Sequence, residues 1–372
     1  MATGAAGVPG YATAEGTARY RSRHPAAGHY RELDGLALSS LGLGTYLGKE
    51  DDATDRAYED AVGHAFQRGI NVIDAAVNYR NQRSERAVGR ALAAAIAAGE
   101  VARDEVVLAT KGGFLPFDGS VPADPKRYLL DTYVRAGILT ASDVVGGCHC
   151  MTPRYLADQL ARSRANLGVH TIDVYYVHNP EMQLSEVDRP TFLERMRAAF
   201  AALESAVADG IIRRYGTATW TGYRQAPDAT DHLSLAELVA VAREVGGADH
   251  HFRVIQVPFN LGMAEAFTHA NQPVGDEGTS VLEAARRLGI YVMTSASVYQ
   301  GKLTARLPAA IGEVLPGLAS DAQRAIQFAR SAPGVGTALV GMSRRAHVDD
   351  NAGVASRPPL EATAFSQLFS GA

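Results

Sequence analysis

The sequence predicts a single α/β domain, a closed (β/α)8 (TIM) barrel whose bottom is plugged by an N-terminal β-hairpin. Three observations predict it. Eight short apolar runs rich in β-branched residues recur along the chain, each closed by a polar residue or a glycine. Longer segments rich in Ala, Leu and Arg, with helical period, separate them. The runs are continuously apolar rather than alternating, which marks strands buried on both faces, as a parallel sheet covered by helices requires. Eight such units with no large unassigned remainder close a barrel.

Taken in order, residues 1–28 are rich in Ala, Gly and Thr without apolar period, and read as a flexible tail ahead of a barrel domain spanning 29–372. Residues 30–40 alternate around Asp34-Gly35, a two-residue hairpin signal. Strands are expected at 41–45, 71–74, 106–111, 172–178, 212–219, 254–257, 291–295 and 337–341. Helices are expected near 54–68, 84–98, 153–167, 190–208, 234–245, 279–288 and 321–331, with a last one from about 345. The segment 114–151 is long for a loop in a compact domain. Its RYLLDTYVRAGIL stretch has helical apolar spacing, so it is expected to be partly ordered as a lid over the substrate. The competing architecture is an open doubly wound sheet, whose signal would be Gly42, Gly44 and Gly48. That cluster misses GxGxxG spacing, and no acidic residue follows at the distance a dinucleotide fold needs.

Composition narrows the partners. A net charge of −4 with no basic run argues against nucleic acid or an anionic membrane surface. No stretch reaches the roughly 20 apolar residues that span a bilayer, and the start lacks a basic then apolar leader, so a cytoplasmic protein is expected. Cys148 and Cys150 flank His149. A one-residue spacing suits neither a disulfide nor a structural zinc site, so reduced thiols and no metal are expected. Of 36 cationic residues only Lys49, Lys111, Lys126 and Lys302 are lysines, which leaves 32 arginines.

In a barrel the chemistry sits at the C-terminal ends of the strands. The second run ends at Asp74, with Tyr79 in the loop above it; the third ends at Lys111; the fourth ends at His178. An ammonium directly after VVLAT must be paired or desolvated at a cost of several kcal/mol. The four groups make sense together as a proton donor. An ammonium beside a phenol stabilises the phenolate and lowers a pKa that is ordinarily about 10. Lys111 would do this for Tyr79, Asp74 would hold Lys111 charged, and His178 would hydrogen-bond a bound carbonyl oxygen.

At these residues the sequence resembles the aldo/keto reductase family. YRELDGLALSSLGLGTYLG is similar to the family's opening hairpin and first strand, and NVIDAAVNY followed by SERAVGRAL to its second strand, catalytic loop and second helix. Lys111 and YYVHNPE around His178 complete a match to its catalytic tetrad. The resemblance implies hydride transfer from NADPH, less often NADH, to an aldehyde or ketone, with Tyr79, Lys111, Asp74 and His178 as the catalytic set. It further implies cofactor contacts from Gly44, Thr45 and Asn179, and from Gln256 to the nicotinamide carboxamide. Thr219, followed by Trp220, stands where many relatives have Ser-Asn. SASVYQGKL resembles the stretch covering the pyrophosphate, with Ser295, Gly301 and Leu303, and Ser295 replaces a tyrosine that often stacks on the nicotinamide.

The last expected site runs from Gly341 to Asn351 (GMSRRAHVDDN). A loop leading into a helix start favours an anion through free N–H groups and the helix dipole. Arg344 or Arg345 could grip a 2′-phosphate bidentately, which favours NADP over NAD. Ser343 and His347 join this loop, and Asn351 matches the family's adenine-side asparagine. Tyr46, Phe114, His149 and Trp220 are expected to line the substrate pocket. Two other functions compete: a Schiff-base aldolase using Lys111, and a nucleotide-binding regulatory protein with little turnover.

Overall fold

The computed structural model describes residues 7–275 and 277–369. Its strands are β1 (Tyr30–Leu33), β2 (Leu36–Ser39), β3 (Leu41–Gly44), β4 (Val72–Asp74), β5 (Val107–Gly112), β6 (Ile172–His178), β7 (Ile212–Ala218), β8 (Phe252–Pro258), β9 (Gln272–Val274), β10 (Glu277–Thr279), β11 (Tyr291–Ser295) and β12 (Val335–Gly341). Eight of them close a barrel in the order β3-β4-β5-β6-β7-β8-β11-β12, with β12 pairing back onto β3. Every pairing in the barrel is parallel. The expected strands and helices are all present, with ends shifted by at most two residues. An unanticipated second hairpin, β9–β10, lies outside the barrel.

The period of two along each strand decides what faces the barrel axis. Val72, Val107, Ala109, Val174, Tyr176, Val254, Met293 and Leu339 form the interior cluster, while Ile73, Leu108, Tyr175, Val177, Ile255 and Val257 pack outward against the helices. Stepping two residues on from Val72, Ala109, Tyr176 and Val254 gives Asp74, Lys111, His178 and Gln256. Alternation therefore carries four polar residues inward at the upper end of the barrel.

The lower end is closed by β1 and β2, which turn through Asp34 and Gly35, both at positive φ (47° and 82°) as a primed hairpin turn demands. Leu33, Leu36 and Leu38 from this hairpin join the interior cluster.

The tail reading is overturned for its described part. Ala14–Arg23 is a helix capped by Thr13, whose side chain accepts from the Gly16 N–H. Fully buried Tyr20 donates to the Phe66 carbonyl at 2.6 Å, and Thr17 Oγ1 accepts from the Ala37 N–H at 2.9 Å. Arg19 and Arg23 both pair with Glu105. One aromatic anchor to the helix Asp52–Gln67 and a few polar clasps to the hairpin and to Glu105 hold this helix, too sparse a pattern to show as an apolar stripe. Residues 1–6 of that tail lie outside the described residues.

The 114–151 segment is ordered, as expected, but not as a lid. Its helix Pro125–Leu129 continues into a wider turn over Leu130–Val134. Tyr133, Leu139 and Cys150 then pack with Tyr155 of helix Pro153–Leu167. Tyr133 and Tyr155 donate their hydroxyls to the carbonyls of Pro116 and Phe114 at 2.8 and 2.7 Å. The segment is thus tied down beside the barrel. No helix among the described residues is long and apolar enough to cross a membrane.

Candidate active site

A cleft of about 810 Å³ opens over the upper strand ends. At its floor Lys111 Nζ lies 2.6 Å from Asp74 Oδ2 and 2.8 Å from the Ala75 carbonyl. Gln256 Nε2 donates to Asp74 Oδ1 at 2.8 Å, so both carboxylate oxygens are engaged from opposite sides of the barrel. Lys111 is fully buried. Its ammonium sits 4.7 Å from the centre of the Tyr79 ring. The Tyr79 ring in turn packs edge-on against His178 at 5.8 Å and against Tyr46 at 5.0 Å.

Electrostatics at the floor differ in one respect from the sequence expectation. Burial first, then the Asp74 carboxylate and the neighbouring Tyr46, holds the Tyr79 phenol well above its ordinary range, so Lys111 does not depress it in this state. The physical reason is that desolvating a phenolate outweighs one ammonium whose charge is already taken up by Asp74. Lys111 itself is pulled down by burial, against the opposing pull of Asp74. Burial first, then the Lys111 charge, keeps His178 well below the usual imidazole range, hence neutral. The His178 Nδ1 is buried and has no hydrogen-bond partner.

Most residues expected at the cofactor are brought to the cleft: Gly44, Thr45, Asn179, Thr219, Gln256, Ser295, Gly301, Gly341, Ser343, His347 and Asn351. Tyr46, Phe114 and Trp220 line it as well. Three do not. Leu303 packs beside the main core, and Arg344 stands exposed at the cap of helix Arg345–Ala352, outside the cleft lining. His149, expected in the substrate pocket, is fully buried behind the floor, where both ring nitrogens are used: one faces the His178 carbonyl and the other Gln183. Of the two arginines expected at a phosphate, Arg345 is bound to Asp60 at 2.6 Å, while Arg344 has no ion-pair partner among the described residues.

Sequence reasoning missed several lining residues, notably Asn78, Gln300 and Asp350. Asn78 adjoins Tyr79, and its Oδ1 is buried without a partner. Its place beside Tyr79 in AVNY was the one available signal. Asp350 takes hydrogen bonds from Ser320 and Gln323, so its charge is already occupied.

The cleft fits a nicotinamide dinucleotide. The Thr219 Oγ1 is buried at its wall and has no partner, so a polar group of a ligand can complete it. The helix beginning at Arg345 has no side-chain cap, which leaves its first N–H groups to an anion beside Ser343. Both cysteines are free, and no group of three or more His, Cys, Asp or Glu among the described residues is placed to hold a metal ion.

Fold and site together define a parallel eight-stranded barrel with an Asp–Lys–Tyr–His set at its strand ends. The family model for the aldo/keto reductase family matches residues 40–370, and the chain belongs to that family. Among curated proteins it is similar to an NADH-specific methylglyoxal reductase of Escherichia coli (strain K12), 27% identical over 191 residues. That alignment takes in 49% of each chain, so the match spans about half the length of that relative. Among solved structures it is similar to an aldo/keto reductase from Klebsiella pneumoniae in complex with NADP and acetate. The two are 20% identical, with coverage of 92% and 95% of this and that chain and a TM-score of 0.60. A glycerol dehydrogenase from Gluconobacter oxydans gives 19% identity, 92% and 95% coverage and a TM-score of 0.63.

Proposed function

We propose that the protein is an NADPH-dependent reductase of a small aldehyde or ketone, with Tyr79 as the proton donor. The observation that carries this reading is the buried Lys111–Asp74–Gln256 chain beneath Tyr79, with a neutral His178 across from it. Membership of the aldo/keto reductase family and the methylglyoxal reductase named above support carbonyl reduction; that relative is NADH-specific, so the choice of NADPH rests on Arg344 and on the NADP complex of the Klebsiella pneumoniae neighbour.

When bound, the nicotinamide cofactor supplies the hydride. Tyr79 Oη gives its proton to the substrate oxygen as that oxygen gains negative charge, and a phenol kept protonated by burial is ready to do so. The phenolate left behind stands beside the Lys111 ammonium, where opposite charge stabilises it until solvent returns a proton. His178, neutral and facing Tyr79, hydrogen-bonds the same oxygen and helps aim the carbonyl. Asp74 holds Lys111 in place, and Gln256 holds Asp74. Gln256 Oε1 remains for the nicotinamide carboxamide, together with Thr219 Oγ1. Phe114, Tyr46 and Trp220 shape an apolar wall that excludes water.

Arg344 is the residue for a 2′-phosphate, because its guanidinium has no ion-pair partner among the described residues while that of Arg345 is held by Asp60. The nearest measurement is oxidation of NADPH and, separately, NADH in the presence of a panel of aldehydes and ketones. Faster turnover at low NADPH than at equal NADH is expected. Equal use of both cofactors would remove the phosphate role, and silence across the panel with tight nucleotide binding would favour the regulatory reading. The aldolase reading is disfavoured by burial: Lys111 has no exposed surface and two of its three protons are donated. Borohydride trapping of a substrate on Lys111 would reinstate it.

A further inference from the structure

His149 stands in the unusual Cys-His-Cys string, is wholly buried, and touches neither cleft nor solvent. Its hydrogen bonds have a fixed direction. At one end Arg195, half-buried on helix Arg189–Ala208, donates to Gln183 Oε1. Arginine has only donors, so Gln183 must turn its oxygen toward it and its NH2 toward His149. Gln183 Nε2 lies 2.8 Å from His149 Nδ1, which must therefore accept. The ring proton is then on Nε2, which lies 2.7 Å from the His178 carbonyl oxygen and donates to it. One arginine on an outer helix thus sets the polarity of a relay that ends on the backbone of a catalytic strand.

The receiving carbonyl belongs to the peptide joining His178 to Asn179. Its N–H side is also held, by donation from Asn179 N to the Ala218 carbonyl at 2.6 Å. Asn179 adopts φ 46°, a left-handed turn conformation that asparagine, among residues with a side chain, takes most readily. The peptide leading into this turn is gripped on both sides. Gly113 makes the approach feasible, since a Cβ there would sit 2.8 Å from both His149 Nε2 and the His178 carbonyl oxygen. Phe114 packs edge-on to His149 and His178 at once, at 5.4 and 5.0 Å.

We propose that His149 is a positioning residue: the Arg195–Gln183–His149 relay fixes the peptide after His178 and so aims the His178 ring into the cleft. The 114–151 segment acts on the chemistry from behind the floor. In its effect on turnover this rests on the reductase reading above; in its effect on the orientation of His178 it does not.

The test uses the full chain with His149→Leu, which removes the donor, and His149→Gln, whose amide can still donate to the carbonyl. The His178 ring resonances are followed by NMR on histidine-labelled protein, and kcat is measured with NADPH and an active carbonyl substrate. Expected for His149→Leu are shifted His178 resonances and a kcat lower by about tenfold, since small misplacements of catalytic groups are costly; His149→Gln should restore both. Unmoved His178 resonances in His149→Leu would overturn the proposal, as would equal damage by both variants. If His149→Leu does not fold, Arg195→Met, which frees Gln183 to flip, is read in the same two ways with the same deciding outcomes. If the wild-type protein reduces no carbonyl, the reductase reading fails and the NMR comparison alone decides this one.

Discussion

At the floor of the cleft Asp74 has one oxygen on Lys111 and the other on Gln256, and Lys111 has no exposed surface. At the rim Arg344 is exposed, with no ion-pair partner among the described residues, beside a helix start that lacks a side-chain cap. The difference follows from solvation. A buried charge without partners is expensive, so the floor holds its groups in one geometry whether or not a ligand is there. An exposed arginine costs little to leave unpaired, so the rim can keep a donor in reserve for an anion that arrives from solution. Changes at the floor should therefore reach turnover, and changes at the rim only affinity.

The sharpest way to break that division is Tyr79→Phe. Loss of a positioned acid should lower kcat by about a thousandfold with a normal melting transition. A variant that kept its rate would remove Tyr79 as the donor and the floor as the seat of the chemistry.

The buried interior should also be more acid-sensitive than the rim, through His149 behind the floor and His29 at the lower end beside the hairpin. Burial lowers both His149 and His29 to about 4 from an ordinary value near 6.5. Their neutral forms are the ones the fold accommodates, so their contribution is complete above pH 6.5. It is lost as the pH falls from there toward 4, because the unfolded chain takes up protons that the folded chain refuses. A shift of that size is worth roughly 3 kcal/mol per histidine. Denaturant titrations across this window should show falling stability, with a shallower fall in His149→Gln; a flat profile in the wild type would contradict the burial argument.

Third in size is Lys111→Arg. A guanidinium has no room at a site where the ammonium touches Asp74 and the Ala75 carbonyl while lying under the Tyr79 ring. Turnover should drop by about a hundredfold. Unchanged kinetics would show that any cation serves and that the floor is less exacting than its burial implies.

These residues were also the ones most legible in the sequence, for a physical reason. A period of two and the position of a strand's last residue fix which way Asp74, Lys111, His178 and Gln256 point, and both are local properties of short runs. What was not legible depends on contacts between distant segments. The hydrogen bond from Gln256 to Asp74 joins residues 182 apart, and nothing in either strand announces it. His149 was misplaced because a loop residue's direction is set by the packing of the whole 114–151 segment on helix Pro153–Leu167, not by its neighbours in the chain. The helix at Ala14–Arg23 was missed because its stability comes from one tyrosine and a few clasps to other elements. The depression of the Tyr79 phenol failed for a related reason: sequence shows which charges are near, but not how much water is excluded.

The smallest effects separate Arg344 from Arg345. Arg344→Ala should weaken NADPH binding by about tenfold and leave NADH binding unchanged, because a 2′-phosphate is the one feature distinguishing the two cofactors and a charge-assisted contact to it is worth that much. Arg345→Ala removes a side chain already held by Asp60 on the outside of the barrel, so neither affinity should move measurably. Fluorescence titration of the two variants with both cofactors reads this directly. Should Arg345→Ala prove the more damaging for NADPH, the Asp60 pair must open when the cofactor binds, and the rim would have a rearrangement that the floor lacks. Equal and negligible effects in both would leave the open helix start and Ser343 as the anion site, with backbone N–H groups rather than a guanidinium supplying the preference.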